Sequence, residues 1–91
     1  MKNTHILIVD DEVNCLSLYL DYFEARGWQV TTAINGKQAW SLFYSSLDKY
    51  HFIITDHNMP IMTGLEFVKK LRTHGYQTPL VLISGELNSL N

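Results

Sequence analysis

Short apolar runs alternate with longer amphipathic stretches along this chain, and that alternation restricts the fold more than any other feature of the sequence. Four runs have the length and composition of β-strands: residues 5–9 (HILIV), 28–33 (WQVTTA), 52–55 (FIIT) and 80–83 (LVLI). Between them, apolar residues recur three or four positions apart, which predicts three helices. Strands that alternate with helices form parallel β-α-β units with helices on both faces of the sheet. We therefore expect an α/β fold with one parallel sheet.

Each predicted helix carries one apolar stripe that should face the sheet. The first helix ends at Gly27, the second spans residues 37–47 after a turn at Asn35-Gly36, and the third spans residues 65–73. The stripes are Val13, Leu16, Leu20 and Phe23; Ala39, Trp40, Phe43 and Leu47; and Leu65, Val68 and Leu71. The second strand, which has a polar interruption, suits an outer position in the sheet.

The composition excludes several classes of protein. Seven basic and nine acidic residues give a net charge of -2 without a block of like charge, so no direct contact with nucleic acid is expected. No run approaches the roughly 20 apolar residues that span a bilayer, and we expect neither a membrane segment nor an export signal. The single cysteine, Cys15, favours a reducing compartment, which makes the cytoplasm the expected location. Residues 1–91 are predicted to form one domain.

Polar residues follow three of the four predicted strands at the point where each strand ends. Asp10 and Asp11 follow the first strand, Asp56 the third and Ser84 the fourth. In parallel sheets, ligands bind beyond the carboxyl ends of the strands. If the first and third strands are neighbours, they lie about 4.8 Å apart, and their three carboxylates converge. Such a cluster needs a counter-charge, and Mg²⁺, which prefers oxygen ligands, would leave room for a phosphoryl group.

Ordinary structural roles are open to each of these residues taken alone. Asp10 or Asp11 could cap the first helix, Asp56 could belong to a turn with Pro60 and Gly64, and Ser84 could form a turn. The functional interpretation rests on their shared position at the ends of successive strands, which independent turn preferences do not require.

Four segments together resemble the receiver domain of two-component response regulators. They are ILIVDDE (6–12), AINGKQAW (33–40), IITDHNMPIMTGLEFVKKLR (53–72) and TPLVLISGE (78–86). The acid pair after the first strand and the Asp-x-x-Met-Pro-x-Met-x-Gly pattern after the third are the most specific parts. The resemblance implies a flavodoxin-like (CheY-like) doubly wound parallel sheet with strand order 2-1-3-4.

The resemblance also implies a role for each residue at the strand ends. Asp56 would accept a phosphoryl group from a sensor histidine kinase or a histidine phosphotransfer protein. Asp11 and Asp56 would bind Mg²⁺ directly, Asp10 through water, and Asn58 through its backbone carbonyl, while the Ser84 hydroxyl would bind a phosphoryl oxygen. Such a protein is a signalling switch for a partner or a downstream output domain, not a dedicated enzyme.

The sequence departs from this family's pattern at its carboxyl end. The family carries a lysine after a fifth strand, and residues 1–91 contain neither that strand nor that lysine. We therefore expect a receiver domain that is incomplete at its C-terminus, with slow or lost phosphorylation. The fourth strand would be an exposed apolar edge, which predicts a fragment of a longer chain, a homodimer or a strand-swapped oligomer. A monomer by light scattering with a cooperative melt would contradict that expectation.

Three other functions compete with this interpretation. A receiver-like interaction module that is never phosphorylated would not respond to Mg²⁺. An aspartyl phosphatase requires a second acid two residues after the nucleophile, where this chain has Asn58. Flavodoxin-like cofactor binding requires a phosphate-binding loop after the first strand, which the sequence lacks.

Overall fold

The computed structural model describes residues 4–83, which form a four-stranded parallel sheet with helices on both faces. The elements are β1 (His5–Val9), α1 (Val13–Glu24), β2 (Gln29–Ala33), α2 (Gly36–Tyr44), β3 (Phe52–Asp56), α3 (Gly64–Thr73) and β4 (Leu80–Ile83). The strand order is β2-β1-β3-β4. The predicted α/β class and strand order are confirmed, and β2 lies at an edge as expected. No helix within residues 4–83 is long and apolar enough to cross a membrane.

The central strand β1 divides the core into two layers because its successive side chains point to opposite faces. Leu7 and Val9 pack with Phe43 and Phe67 beneath α2 and α3. Ile6 and Ile8 lie on the other face, within a cluster that includes α1. Residues 6–9 of β1 are all at most 1% exposed. This complete burial explains why β1 is an unbroken apolar run in the sequence.

Three residues of the predicted stripes do not face the core. Val13 is 66% exposed because it is the first residue of α1, before the buried stripe begins at Leu16. Leu47 is 41% exposed and lies outside α2, which ends at Tyr44. Leu65 is 42% exposed, and the buried positions of α3 are instead Gly64, Phe67 and Leu71. The predictions for Val13, Leu47 and Leu65 were therefore wrong.

The start of α3 explains the error at Leu65. A side chain at position 64 would collide with the carbonyl oxygen of Asp56, so a glycine lets the helix begin against the end of β3. With Gly64 inward, Leu65 is rotated toward solvent. A capping box fixes this start, since Thr63 accepts a hydrogen bond from the Glu66 N–H and donates its own N–H to the Glu66 carboxylate. The bond from the Thr63 N–H lowers the pKa of Glu66.

A histidine network joins β1, β2 and β3 at the amino end of the sheet. The His5 N–H donates to Nδ1 of His51 at 3.0 Å, and the His5 ring lies 2.7 Å from the Thr31 hydroxyl. Tyr50 contacts the same ring in an edge-on arrangement, with centroids 5.1 Å apart. Burial, and after it the positive charge of Lys49, lowers the pKa of His5. The folded protein therefore disfavours the protonated form of this side chain.

This network predicts that the fold loses stability in mild acid. The unfolded chain, in which His5 has its ordinary pKa of 6.5, binds the proton at higher pH than the folded chain does. Stability should be fully present above that value and should fall as the pH drops through and below it. Urea unfolding between about pH 7.5 and pH 5.5 should show a shallower pH dependence for His5→Gln than for the wild type. Equal dependence in the two proteins would contradict the prediction.

Candidate functional site

The pairing of β1 with β3 brings the acidic residues to one edge of the sheet. Val9 is opposite Thr55 in parallel register, so the residues that follow them, Asp10 and Asp56, lie side by side at the carboxyl edge of the sheet. A hydrogen bond to β2 fixes the backbone of Asp10, whose N–H donates to the carbonyl of Ala33 at 3.0 Å. One carboxylate oxygen from each of Asp10, Asp11 and Asp56 lies within 4.8 Å of the other two. The structure thus places the three acids together.

The three carboxylates differ in their exposure to solvent. Asp10 is 9% exposed, Asp56 is half-buried and Asp11 is exposed. Asp10 also has a structural task, because its Oδ1 accepts the Glu12 N–H at 2.9 Å just before α1 begins. Asp10 therefore shapes the turn before α1 but does not cap the helix, because Glu12 is itself the N-cap residue. Glu12, at the N-cap position itself, makes no capping hydrogen bond with its side chain.

The environment of Asp56 disfavours its ionised form. Burial raises the pKa of this carboxyl group, and the neighbouring charges of Asp10 and Asp11 raise it further. Backbone hydrogen bonds from His57 and Asn58 act in the opposite direction but do not cancel the shift. At neutral pH the cluster therefore holds negative charge at a cost in stability, and a bound cation would offset that cost.

The loop between β3 and α3 is closed at its base beside Asp56. The carbonyl of His57 accepts both the Met59 N–H at 3.0 Å and the Gly64 N–H at 3.1 Å. Met59 is buried at 7% exposure and anchors the loop to the core, whereas Asn58 is exposed. The strand therefore delivers Asp56 to the edge, and the buried Met59 and Gly64 return the chain to the core within a few residues.

A second contact connects this loop to the start of α2. The Gly36 N–H donates to the carbonyl of Met62 at 3.3 Å, and a Cβ at position 36 would lie 2.7 Å from that oxygen. The predicted turn at Asn35-Gly36 is the N-terminus of α2, where the Asn35 side chain accepts the Gln38 N–H at 2.8 Å. Sequence reasoning missed the contact with Met62, because nothing in the local pattern pairs two segments so far apart in the chain.

His57 is a further site-adjacent residue whose role the sequence did not reveal. Its Nδ1 accepts the Leu65 N–H at 3.3 Å, so the ring is engaged with the first turn of α3. Ser84, the predicted phosphoryl-binding hydroxyl, lies outside the described residues.

Comparison of the sequence with known proteins identifies the family to which this chain belongs. The family described as response regulator receiver domain matches residues 6–90. The chain belongs to that family. It is 37% identical over 83 residues to the response regulator SaeR of Staphylococcus epidermidis and 34% identical to SaeR of Staphylococcus aureus. These matches cover 91% of this chain and 35% of each relative, so the chain spans about a third of the length of these curated proteins.

Solved structures show the same receiver fold. The chemotaxis protein CheY4 of Vibrio cholerae superposes with a TM-score of 0.80 at 32% identity, covering 94% of this chain and 75% of that one. The response regulator TrrA of Thermotoga maritima, solved in complex with Mg²⁺-BeF, superposes with a TM-score of 0.83 at 31% identity and the same coverage. This protein is thus a receiver domain of the two-component response-regulator family, with a CheY-like fold.

The raised pKa of Asp56 predicts that neutralising this residue stabilises the metal-free protein. Asp56→Asn should raise the melting temperature in EDTA near pH 7. The gain in unfolding free energy should be less than about 1 kcal/mol, because the Asp56 carboxylate is partly solvated. The gain should shrink as the pH falls, since the folded wild type takes up its proton at a higher pH than the unfolded chain does. Asp21→Asn, on the exposed side of α1, is the matched control for loss of one charge. An unchanged or lower melting temperature for Asp56→Asn would contradict the prediction.

Proposed function

We propose that this receiver domain accepts a phosphoryl group on Asp56 from a phosphohistidine, with the help of Mg²⁺. The observation that carries the proposal is the approach of the Asp10, Asp11 and Asp56 carboxylates to within 4.8 Å of one another. A phosphorylated sensor histidine kinase or histidine phosphotransfer protein would be the donor. The cytoplasmic location of the exchange stays a prediction, based on the single cysteine.

The residues fit a magnesium ion by the chemistry of their ligand atoms. Mg²⁺ binds oxygen at about 2.1 Å, so two direct ligands lie at most about 4.2 Å apart. A cluster whose oxygens spread up to 4.8 Å suits two direct carboxylates and a third that acts through water. Asp11 and Asp56 would bind directly, Asp10 through water, and Asn58 through its backbone carbonyl. When bound, the ion would neutralise negative charge on the carboxylates and on the phosphoryl oxygens.

Asp56 would act as the nucleophile in this transfer. One of its carboxylate oxygens forms a bond to phosphorus while the bond from phosphorus to the histidine nitrogen breaks, and the electron pair of that bond remains on the ring nitrogen. The position of Asp56 at the end of β3 holds this oxygen in place, and the half-buried setting limits competing water. Support also comes from TrrA, which was solved with Mg²⁺-BeF.

Phosphorylation would change the charge and bulk at the carboxyl edge of the sheet. The phosphoryl group carries more negative charge than a carboxylate and offers several acceptor oxygens. We propose that Ser84 binds one of them and that the change alters contacts with a partner or an output domain. Regulation of an output domain is in keeping with the relatives, which are themselves response regulators.

Labelling with acetyl phosphate tests the proposal. In Mg²⁺ the wild-type chain should gain the mass of one phosphoryl group on prolonged incubation, because Asp56 needs only a small-molecule donor and a metal. Asp56→Asn and the wild type in EDTA should gain none, whereas Asp48→Asn, which removes an exposed acid between α2 and β3, should be labelled like the wild type. Of the slow or lost phosphorylation expected without the family's lysine, the proposal requires the slow form. Equal labelling of Asp56→Asn, or no labelling of the wild type, would therefore contradict it.

A further inference from the structure

A group of aromatic and basic side chains lies where α2 meets the end of α3. The Trp40 ring is at its centre and stacks on Tyr44, with ring centroids 5.4 Å apart. The His74 ring lies 4.8 Å from the Trp40 ring, and the Lys70 ammonium lies 5.0 Å from the centre of that ring. We name Trp40, Tyr44, Lys70 and His74 the aromatic-basic patch.

The aromatic-basic patch is open to solvent and is fixed from beneath. Tyr44 is 56% exposed, and His74 is exposed as well. Trp40 is half-buried and packs against the core cluster that contains Phe43. The Nδ1–H of His74 donates to the Lys70 carbonyl at 2.8 Å, which orients the imidazole ring. Because these rings are already ordered, a ligand that packs on them would lose little side-chain freedom.

The composition of the patch is typical of an interaction surface. Single exposed apolar residues are ordinary on a protein surface, whereas a contiguous group of them marks a binding site. Tryptophan and tyrosine are also among the residues that contribute most to protein interfaces. In this patch Trp40 and Tyr44 form one stacked pair, so a partner would meet both rings together.

The helices on the two faces of the sheet differ in charge. On one face, α1 carries two acids, Asp21 and Glu24, and no base. On the other face, α2 and α3 carry one acid, Glu66, whose carboxylate accepts the Thr63 N–H at the start of α3. The bases of these two helices are Lys37, Lys69, Lys70 and Arg72. The helices that form the patch are therefore positive, although the chain has a net charge of -2.

This distribution of charge favours an acidic protein segment over a nucleic acid. A nucleic acid is a long polyanion, and beyond α2 and α3 it would meet the net negative charge of the rest of the chain. A short acidic segment can stay on the patch. Its carboxylates would lie near Lys70, and an apolar side chain beside them would pack on Trp40 and Tyr44.

The patch is separate from the acidic site. α3 begins at Gly64, which is packed against the Asp56 carbonyl, and His74 follows the last residue of that helix. A helix rises about 1.5 Å per residue, so His74 lies about 15 Å along α3 from Gly64. The patch is thus at the end of α3 that is remote from the carboxylates.

We propose that the aromatic-basic patch binds an acidic segment of a partner protein, with an apolar side chain of that segment packed on Trp40 and Tyr44. Lys70 binds the carboxylates of the segment. Lys37, three residues before Trp40 on α2, extends the positive surface along the same side of that helix. This binding is a function additional to phosphorylation of Asp56 and does not depend on it.

Nuclear magnetic resonance of the ¹⁵N-labelled chain tests this proposal. The probe is a short acetylated peptide of glutamate and aspartate around one phenylalanine. The indole N–H signal of Trp40 should shift with half-saturation below about 1 mM peptide. The signal of Trp28, which stacks on Phe23 of α1, should stay in place. A rise in salt from about 0.05 M to about 0.5 M should weaken binding severalfold, because ions screen the attraction.

Two variants with matched controls test the residues of the patch. Lys70→Glu should raise the Kd of the peptide about tenfold, because it places a like charge beside the carboxylates of the probe. Its control is Lys49→Glu, which reverses another lysine that lies over an aromatic ring, that of Tyr50, outside the patch. Tyr44→Ala should also raise the Kd about tenfold, because it removes an interface aromatic residue. Its control is Tyr22→Ala, which removes a tyrosine of similar exposure, 53%, from α1.

Each outcome supports or overturns the proposal. Weaker binding by Lys70→Glu and Tyr44→Ala supports it if both controls bind like the wild type and all variants keep the Trp28 signal in place. A Trp40 signal that does not move at about 1 mM peptide overturns it. An equal shift with the glutamine and asparagine analogue of the peptide, or equal weakening in the controls, also overturns it. Tighter binding of a single-stranded oligonucleotide would replace the acidic segment by a nucleic acid.

Discussion

The parallel pairing of β1 with β3 is the interaction on which the site depends. Val9 and Thr55 are partners in that pairing, and one further residue on each strand gives Asp10 and Asp56. Because the side chains of a strand alternate between faces, a shift of one residue in register would move every side chain of β3 to the other face. β3 buries alternate residues, with Ile53 and Thr55 at 0% exposure, and this alternation specifies its register. The core thus fixes the site before any ligand binds.

Contacts elsewhere in the fold keep the acidic residues together although their negative charges repel one another. Burial and the charge of Asp10 raise the pKa of Asp56 and so disfavour its ionised form, yet the pairing of β3 with β1 and β4 holds the residue at this edge. Gly64 packs against the Asp56 carbonyl, and the Gly36 contact with Met62 ties the following loop to α2. Two positions without side chains therefore hold the loop close to the acids. A bound cation would offset the repulsion between these acids in the folded chain.

Local patterns in the sequence predicted the strands and the acids because both depend on neighbouring residues. The bounds of β1 and β4 agree with that expectation, and Asp10, Asp11 and Asp56 lie together. The strand order, which the resemblance to the receiver family implied, also agrees. The orientation of α3 was not predictable in this way, since Gly64 faces inward through a contact with the backbone of β3. The positive φ of Ile61, 71°, was not predictable either, because this backbone region is strongly disfavoured for a β-branched residue. Ser84 lies outside the residues described.

Diffraction from crystals grown with Mn²⁺, an anomalous scatterer that can replace Mg²⁺, would test the central claim most directly. We expect one ion at the carboxyl edge of the sheet, about 2.2 Å from oxygens of Asp11 and Asp56, with water between it and Asp10. Asp56→Asn crystals under the same conditions should show a weaker peak or none. An anomalous map without an ion among these three acids, or with one bound only elsewhere on the domain, would contradict a metal site formed by Asp10, Asp11 and Asp56.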